Sequence, residues 1–292
     1  MSRAKQLILQ AMHERGEATR PQLAAATGLS EVTVGKAVAA LCRTGELQAA
    51  GDVPSGGGRP VQLYRYHTGY ACHVLVELRR EGTLLSVHLR LLDLHGIEKK
   101  TLTGRFAYLE AESLDGLLDI ALRRQRLRSI TIIAADFPLP DTLAAHLQQR
   151  YHCAIHTPSP AALLAWDSPS GTATLCLQEG LAPTCVLSAA AGMQESGPLH
   201  LLPVVADWST LNYTDRNQVA EVVATLIAVI ICTLAPLQLN VCGPAWSSRL
   251  TERIRYNADT KLRGALPPLH FIPIQADDLS RAAIAWCAAR HA

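Results

Sequence analysis

Residues 19–36 hold the pattern that most restricts what this chain can fold into, because they predict a helix, a tight turn and a second helix. Thr19 is a good N-cap, and Pro21 falls in the first helical turn, where its missing N–H costs nothing. Gly28 supplies the left-handed residue that ends this helix, and Ser30 caps the next one. The segment is therefore typical of a helix-turn-helix.

The second helix has an apolar face and a short polar face. Its apolar residues recur at helical spacing, and they are Val34, Val38 and Leu41. Glu31, Thr33 and Lys36 point elsewhere. A polar face at the N-terminal end of a second helix is what reading the major groove of DNA needs. The motif alone leaves an ordinary helical hairpin as the alternative.

A β-hairpin with a glycine-rich tip is predicted directly after this helix. Residues 46–50 lead into a loop over 51–60, and residues 61–66 alternate apolar and polar side chains as a half-buried strand does. Arg59 stands between a glycine and a proline on extended backbone, where it can enter a narrow, A·T-rich minor groove. Two strands around such a tip form the wing of a winged helix-turn-helix. A flexible linker with a solvated arginine is the alternative.

We expect double-stranded DNA to be the partner of this part of the chain. The expected contact residues are Arg20, Ser30, Glu31, Val32, Thr33, Lys36 and Arg59. The formal net charge is only +2, but residues 1–66 carry eight Lys or Arg and five Asp or Glu, so the basic excess lies there. Aromatic residues make up 5% of the chain, which argues against a stacking platform for single strands.

Cysteine usage and hydropathy indicate a cytoplasmic protein. The eight cysteines show no metal-ligand spacing, and the N-terminus lacks a signal-peptide apolar segment, so we expect reduced, buried thiols. Residues 222–241 contain no charge and are long enough to cross a bilayer. Pro236 interrupts them and no basic cluster flanks them, so we expect a buried helix over 217–234, a buried strand over 237–242 and no membrane partner.

The pattern changes after the hairpin, and we place the domain boundary between 1–66 and 67–292. Strands are predicted at 71–78, 83–93, 96–104, 130–135, 154–156, 173–177, 184–189, 237–242 and 269–273. Helices are predicted at 113–125, 141–150, capped by Asp141, and at 160–166, 217–234, 245–256 and 277–290. A β-meander followed by alternating strands and helices, and then repeated, predicts a two-lobed α/β architecture.

This order of elements resembles the ROK family (repressors, open reading frames, kinases), specifically its transcriptional regulators. The segments that carry the resemblance are 29–34, 57–64, 91–96 and 237–244. It implies an N-terminal winged helix-turn-helix joined to a sugar-kinase-like, actin-type ATPase domain with two α/β lobes. It also implies that Arg59 touches DNA beside the recognition helix. Gly35 stands where the family has a serine, so a hydroxyl contact to phosphate is missing.

The kinase features of the family are altered in this chain. The place of the Asp-x-Gly-x-Thr phosphate loop is taken by residues 77–83, with the register open between Glu77 and Glu81. In either register we expect no tight glycine turn that brings backbone N–H groups against a phosphate. Ser159 stands where the family has the aspartate that acts as base toward the sugar, and a serine cannot accept that proton at neutral pH. His200 matches the family's zinc-binding histidine, but the next cysteine is Cys232, inside the expected buried helix, so we expect no zinc role.

The resemblance and these departures together predict a sequence-specific DNA-binding transcription regulator, a repressor, rather than an enzyme. Its second domain is expected to be catalytically inactive, to need no cofactor and to serve assembly into a homodimer or tetramer, with a sugar as candidate effector. One alternative is a ROK-type sugar kinase with a DNA-binding appendage. The other is a winged-helix module that binds protein.

Overall fold

The structure is a computed structural model that describes residues 2–55, 58–110, 112–123, 125–134, 139–178, 183–189, 192–195, 214–275 and 277–289. Within these ranges the side chains of residues 55, 58, 59, 141, 192, 194 and 195 are not described.

The first part of the chain, residues 2–66, is called the N-terminal unit below. Its helices are α1 (Arg3–Arg15), α2 (Arg20–Thr27) and α3 (Glu31–Thr44). Its strands are β1 (Glu17–Thr19), β2 (Leu47–Ser55) and β3 (Gly58–Tyr66), which form an antiparallel sheet in the order β1-β3-β2. The helices pack their apolar faces together, and Val34, Val38 and Leu41 of α3 are fully buried as predicted.

The turn between α2 and α3 follows from local capping chemistry. Thr19 and Gln22 form a reciprocal capping box, in which the Thr19 N–H donates to Gln22 Oε1 at 2.9 Å. Gly28 ends α2 with φ of +69°, in the left-handed region. The Ser30 hydroxyl then accepts from the Thr33 N–H at 3.3 Å. The predicted caps and turn glycine are confirmed.

Two five-stranded sheets follow, with the same strand order. The first contains β4 (Cys72–Glu81), β5 (Leu84–Asp93), β6 (Glu98–Phe106), β7 (Leu127–Ala134) and β8 (Ala154–His156). The second contains β9 (Thr172–Cys176), β10 (Thr184–Ala189), β11 (Gly192–Glu195), β12 (Gln238–Gly243) and β13 (Leu269–Pro273). Their orders are β6-β5-β4-β7-β8 and β11-β10-β9-β12-β13. Each is an antiparallel meander with two parallel strands added beside its first strand, so the predicted repeat is confirmed.

Helices cover these sheets and connect them. The first sheet carries α4 (Asp115–Leu122) and α5 (Asp141–Tyr151), and the second carries α7 (Arg216–Leu234) and α8 (Ser248–Lys261). Between the sheets lies α6 (Pro160–Ala165). The last described helix, α9 (Asp278–Ala289), returns to the first sheet, where Ala283 and Trp286 join the core formed by Leu75 and Ile133. We call the first sheet with α4, α5 and α9 the first lobe, and the second sheet with α7 and α8 the second lobe.

The uncharged stretch 222–241 divides into α7 and β12, as predicted. The buried face of α7 packs in the core of the second lobe and includes Val219, Val223 and Ile227. Among the described residues, α7 is the one helix whose length and composition would also allow a membrane span. The core helix of a soluble protein meets the same criteria, and α7 has such a place in this fold.

Candidate nucleic-acid interface and inter-lobe cleft

The N-terminal end of α3 forms a small exposed surface. Ser30, Glu31 and Lys36 are exposed, and Thr33 is half-buried. The Ser30 and Thr33 hydroxyl oxygens lie 2.8 Å apart, so one hydrogen bond joins them at the start of the helix. Four of the predicted contact residues therefore share one end of one helix, with hydroxyl, carboxylate and ammonium groups facing outward.

Val32 is the apolar member of this surface. Its side chain is 69% exposed in the first turn of α3. A single exposed valine is ordinary on protein surfaces. In this position, however, it offers a methyl group beside polar donors and acceptors, and the methyl of thymine is the apolar feature that the major groove displays.

Arg20 begins α2 and lies against the middle of α3. Its guanidinium carbon is 5.4 Å from the centre of the Tyr64 ring on β3. A Cβ built on Gly35 would lie 3.9 Å from Arg20 Nη1, so the arginine crosses the helix at the one position without a side chain. The contact between Arg20 and Gly35 could not be predicted from the sequence, since it depends on how α2 packs on α3.

The predicted wing exists as the β2–β3 hairpin. The two strands pair from Leu47 with Tyr66 to Ser55 with Gly58, with irregular register between Ala49 and Asp52 and between Val53 and Ser55. Residues 56 and 57 at the tip lie outside the described residues, and so does the side chain of Arg59. The expected role of Arg59 in the minor groove is therefore not tested by this structure.

A cleft of about 390 Å³ lies between the two lobes. Residues from both sheets line it, together with the turn before α6 and the segment that leads into α9. They include Glu77, Arg79, Arg80, Ile133, Pro158, Gln178, Gly243 and Ile274. Glu77, Arg79 and Arg80 belong to the segment matched to the family's phosphate loop, and Pro158 and Pro160 flank Ser159.

The hairpin that lines this cleft is formed by β4 and β5. Its strands pair up to Glu81 and Leu84, and a two-residue turn of Gly82 and Thr83 joins them, with Gly82 at φ of +64°. A tight glycine turn is therefore present at residues 82 and 83. Arg79 and Arg80 line the cleft from continuous strand, whereas Gly82 does not line it, so the register that faces the cleft is the one beginning at Glu77.

Glu77 is held by two neighbours in the protein interior. Its side chain is 4% exposed, and Arg90 Nη2 lies 3.2 Å from Glu77 Oε2. The Ser280 hydroxyl of α9 donates to Glu77 Oε1. A buried carboxylate with a guanidinium and a hydroxyl partner is a satisfied structural group, and it ties α9 to β4.

Ser159 acts as a helix cap. Its hydroxyl accepts from the Ala162 N–H at 3.2 Å, at the start of α6. Since Pro160 follows at the first helical position, the turn has the ordinary composition of a helix N-terminus. The side chain at the position of the family's base thus has a structural use.

The cysteines show one departure from expectation. All eight lie in the described part of the chain and none forms a disulfide. Burial raises the pKa of Cys72, Cys185 and Cys242 to about 12, so these thiols stay protonated. Cys232 is exposed on α7, so its expected burial was wrong: the helix keeps one face toward solvent.

Histidine, cysteine, aspartate and glutamate do not gather anywhere in the described ranges in a group of three that could hold a metal ion. His200, the histidine that the sequence aligned with the zinc ligand, lies outside those ranges. The zinc expectation is therefore not tested here.

Comparison with known proteins places this architecture among solved structures. No protein-family model and no curated protein matches the sequence. The structure of a ROK family transcriptional regulator, described as a homolog of the E. coli MLC protein, matches with a TM-score of 0.60 at 12% identity, over 99% of this chain and 96% of that chain. The ROK hexokinase from Thermus thermophilus matches with a TM-score of 0.50 at 13% identity, over 75% of this chain and 100% of that chain.

At these identities the likeness concerns the fold. The fold of the regulator matches nearly the whole chain, and the fold of the kinase matches three quarters of it. The resemblance drawn from the sequence is confirmed at that level: the chain folds like a ROK-family transcriptional regulator.

Proposed function

We propose that this protein is a sequence-specific, DNA-binding transcription regulator of the cytoplasm, acting as a repressor. In this proposal residues 1–66 form a winged helix-turn-helix that reads operator DNA. Residues 67–292 form a ROK-like domain that serves assembly and sensing without kinase activity. The observation that carries the proposal is the exposed N-terminal end of α3, beside the β2–β3 hairpin.

The side chains of this end suit complementary contacts. The Lys36 ammonium is suited to phosphate, which fixes the position of a protein on DNA without reading sequence. The Ser30 and Thr33 hydroxyls suit base edges or phosphate, and Val32 suits a thymine methyl. The Glu31 carboxylate suits a donor on a base edge, such as the cytosine amino group. Arg59 is proposed to favour sites with an A·T-rich flank, because a narrow minor groove concentrates negative potential.

The absence of kinase activity in the proposal is supported by the cleft. Phosphoryl transfer needs a cradle for the phosphates and a group that positions or deprotonates the nucleophile. Arg79 and Arg80 occupy regular strand where the family has its glycine loop, and Ser159 caps α6 where the family has its base. Loss of a general base typically lowers a rate by 10²- to 10⁴-fold by itself.

The first test selects genomic DNA fragments with the purified full chain and measures binding to enriched and random fragments by mobility shift. Enrichment of a common sequence supports the proposal. Selection that yields no common sequence contradicts it. Arg249→Ala is the control variant: it removes one positive charge from an exposed position on α8 in the second lobe, away from the proposed DNA surface.

The second test addresses the alternative that the protein is a sugar kinase, which the similarity of its fold to a hexokinase leaves open. A coupled ADP-release assay runs the protein over a panel of hexoses and N-acetylhexosamines. We expect no turnover above background with any of them. Turnover that disappears in Ser159→Ala would show an active kinase, and the inactive-domain proposal would then be rejected.

A further inference from the structure

A second cavity, larger than the inter-lobe cleft, lies where the N-terminal unit meets the first lobe. Its volume is about 860 Å³. Tyr66 and Tyr70 line one side, Arg126 and Arg128 line another, and the end of α5 contributes Gln148 and His152. Neither the DNA surface nor the altered kinase cleft uses these groups. We call this space the junction cavity.

Arg126 is oriented before any ligand arrives. Its guanidinium carbon lies 4.7 Å from the centre of the Tyr70 ring, and its Nη1 donates to the Tyr70 hydroxyl. Its carbonyl accepts from the Cys72 N–H at 2.8 Å, which fixes the backbone at the start of β7. The side chain remains exposed to the cavity. A guanidinium held in this way loses little freedom when it binds an oxyanion.

Arg128, the second residue of β7, provides the second cation. It lies near enough to Tyr66 to favour the ionised phenol, yet burial prevails and raises the pKa of Tyr66 to about 12. Tyr66 therefore keeps its proton at neutral pH and offers a hydroxyl donor. Two guanidinium groups and a phenol on neighbouring walls suit an oxyanion such as a phosphate or carboxylate.

The remaining polar groups of the cavity include hydrogen-bond acceptors, so a ligand that fits them must also carry hydrogen-bond donors. Glu46 lines the cavity, and its Oε1 accepts from the Thr44 hydroxyl at 3.1 Å, which leaves acceptor capacity on the carboxylate. The Gln148 amide and the carbonyl end of α5 add further acceptors. A simple inorganic anion would face these groups unfavourably, whereas hydroxyl groups on the ligand would satisfy them.

The cavity wall continues into the C-terminal end of α3. The Tyr70 ring packs on Gly45, the C-cap of α3 at φ of +87°, where a Cβ would lie 3.3 Å from the ring. The Gly45 carbonyl lies 3.0 Å from His67 Nδ1, and Glu46 donates its N–H to Leu41 at 3.0 Å. One helix thus carries the proposed DNA surface at its N-terminus and part of the cavity wall at its C-terminus.

We propose that the junction cavity binds a small hydroxylated organic anion, with Arg126 and Arg128 on its oxyanion group and Glu46 and Gln148 on its hydroxyls. Occupancy changes the placement of α3 through Tyr70 and Gly45, and so changes affinity for DNA. The binding site stands independently of the DNA proposal, whereas this coupling rests on it.

The binding test uses glycerol 2-phosphate as the probe, with inorganic phosphate alone and glycerol alone as its fragments. Calorimetry on the full chain at fixed ionic strength measures each. We expect saturable binding of glycerol 2-phosphate that is tighter than binding of either fragment. Arg126→Gln and Arg128→Gln should each weaken it by about tenfold, the loss of one charged hydrogen-bond partner.

Two variants separate this site from other cations. Arg249→Gln removes an exposed guanidinium from the second lobe and should leave binding unchanged. Arg79→Gln with Arg80→Gln tests the inter-lobe cleft and should also leave it unchanged. The site is rejected if the parent shows no saturable binding, if the junction variants bind like the parent, or if only the cleft variant loses binding.

The coupling test repeats the mobility shift on an enriched fragment with and without the probe. We expect the parent's DNA affinity to change by about 5- to 150-fold, the usual range for coupled sites. Tyr70→Phe removes the hydroxyl that accepts from Arg126 and should weaken probe binding, but it keeps the ring on Gly45 and should keep the coupling at saturating probe. Tyr70→Leu should reduce the coupling even at saturating probe. Probe binding with no change in DNA affinity would reject the coupling, and probe binding without any DNA binding would reject the DNA proposal while the site stands.

Discussion

Single residues of α3 decide what its exposed end can do. Glu31 follows the N-cap and complements the helix dipole, Val32 stands 69% exposed in the first turn, and Lys36 lies one turn further along. Gly35 lies under the Arg20 guanidinium, at a helix position where alanine would be more stable than glycine. Two of these positions yield direct measurements.

Lys36→Ala should weaken binding to specific and random DNA by a similar factor. The lysine is exposed, and an ammonium paired with phosphate releases a counterion whatever the sequence. The slope of log affinity against log salt should fall by about one unit. Binding isotherms across a salt series measure both effects, with Arg249→Ala as the equal-charge control. Identical isotherms for Lys36→Ala and the parent would show that Lys36 does not contact DNA.

Gly35→Ala should raise the free energy of unfolding by about 0.5–1 kcal/mol, because alanine loses less backbone freedom than glycine in a helix interior. A Cβ there has room, since its contact with Arg20 Nη1 would be 3.9 Å. Urea unfolding measures the change. Gly45→Ala is the contrasting variant, because φ of +87° and the Tyr70 ring at 3.3 Å make it destabilising. A loss of stability in Gly35→Ala would show that the Arg20 crossing requires glycine.

At the scale of elements, the structure joins the N-terminal unit to the first lobe through aromatic rings. His13 of α1 and His95 of the β5–β6 turn meet edge to face at 4.6 Å between ring centres, and Tyr66 of β3 stacks on His95 at 5.3 Å. Among the described residues, His13 Nδ1 and His95 Nε2 are buried without a hydrogen-bond partner. Adding a second proton to His13 would therefore place a positive charge in a buried contact, which disfavours the charged imidazole.

This contact predicts that stability falls on mild acidification. Burial, and next the nearby His95, hold the pKa of His13 below its ordinary value of about 6.5, while Glu14 opposes the shift. The unfolded chain then binds more protons than the folded one, so the free energy of unfolding decreases as pH falls below about 6.5. Urea unfolding at about pH 7.5 and 5.5 measures it. His13→Phe should show a smaller decrease, whereas the exposed His270→Gln should match the parent. If His13→Phe shows the same pH dependence as the parent, a group other than His13 causes the loss of stability.

The elements that could be predicted are those whose signals are local. The caps of α2 and α3 depend on four neighbouring residues, and α7 and β12 separate at a proline. The missed strand β1 is three residues long and exists only by pairing with β3, far along the chain. The predicted helix over 113–125 ends at Leu122 because Arg123 takes φ of +43°.

The same distinction holds for the sites. The exposed end of α3 is one continuous segment, so its residues could be named from the sequence. The junction cavity collects Glu46, Tyr70, Arg126 and His152 from four separate segments, and no local pattern links them. Which of Glu77 and Glu81 faces the cleft also needed the fold, because the cleft wall is formed by residues from both lobes.

At the scale of the whole molecule, one N-terminal unit presents one recognition surface. Four or five base contacts at about 1–3 kcal/mol each rarely distinguish one site in a genome. We therefore expect a symmetric dimer or a dimer of dimers that reads paired half-sites. Light scattering of the full chain at micromolar concentration measures the mass. A monomer that binds an operator tightly would contradict this expectation.

The return of α9 to the first lobe has a consequence for the order in which the chain folds during synthesis. Ser280 and Glu77 are 203 residues apart, and the core of Leu75 and Ile133 is completed by Ala283 and Trp286. The core of the N-terminal unit is completed by Ala71 and Leu94, so it can form as soon as the chain up to Leu94 has left the ribosome. The first lobe must wait, with an apolar face of β4 and β7 uncovered, until α9 has been translated. Nascent chains of this protein should therefore depend on a chaperone that shields that face, and the dependence should end when residues 278–289 emerge.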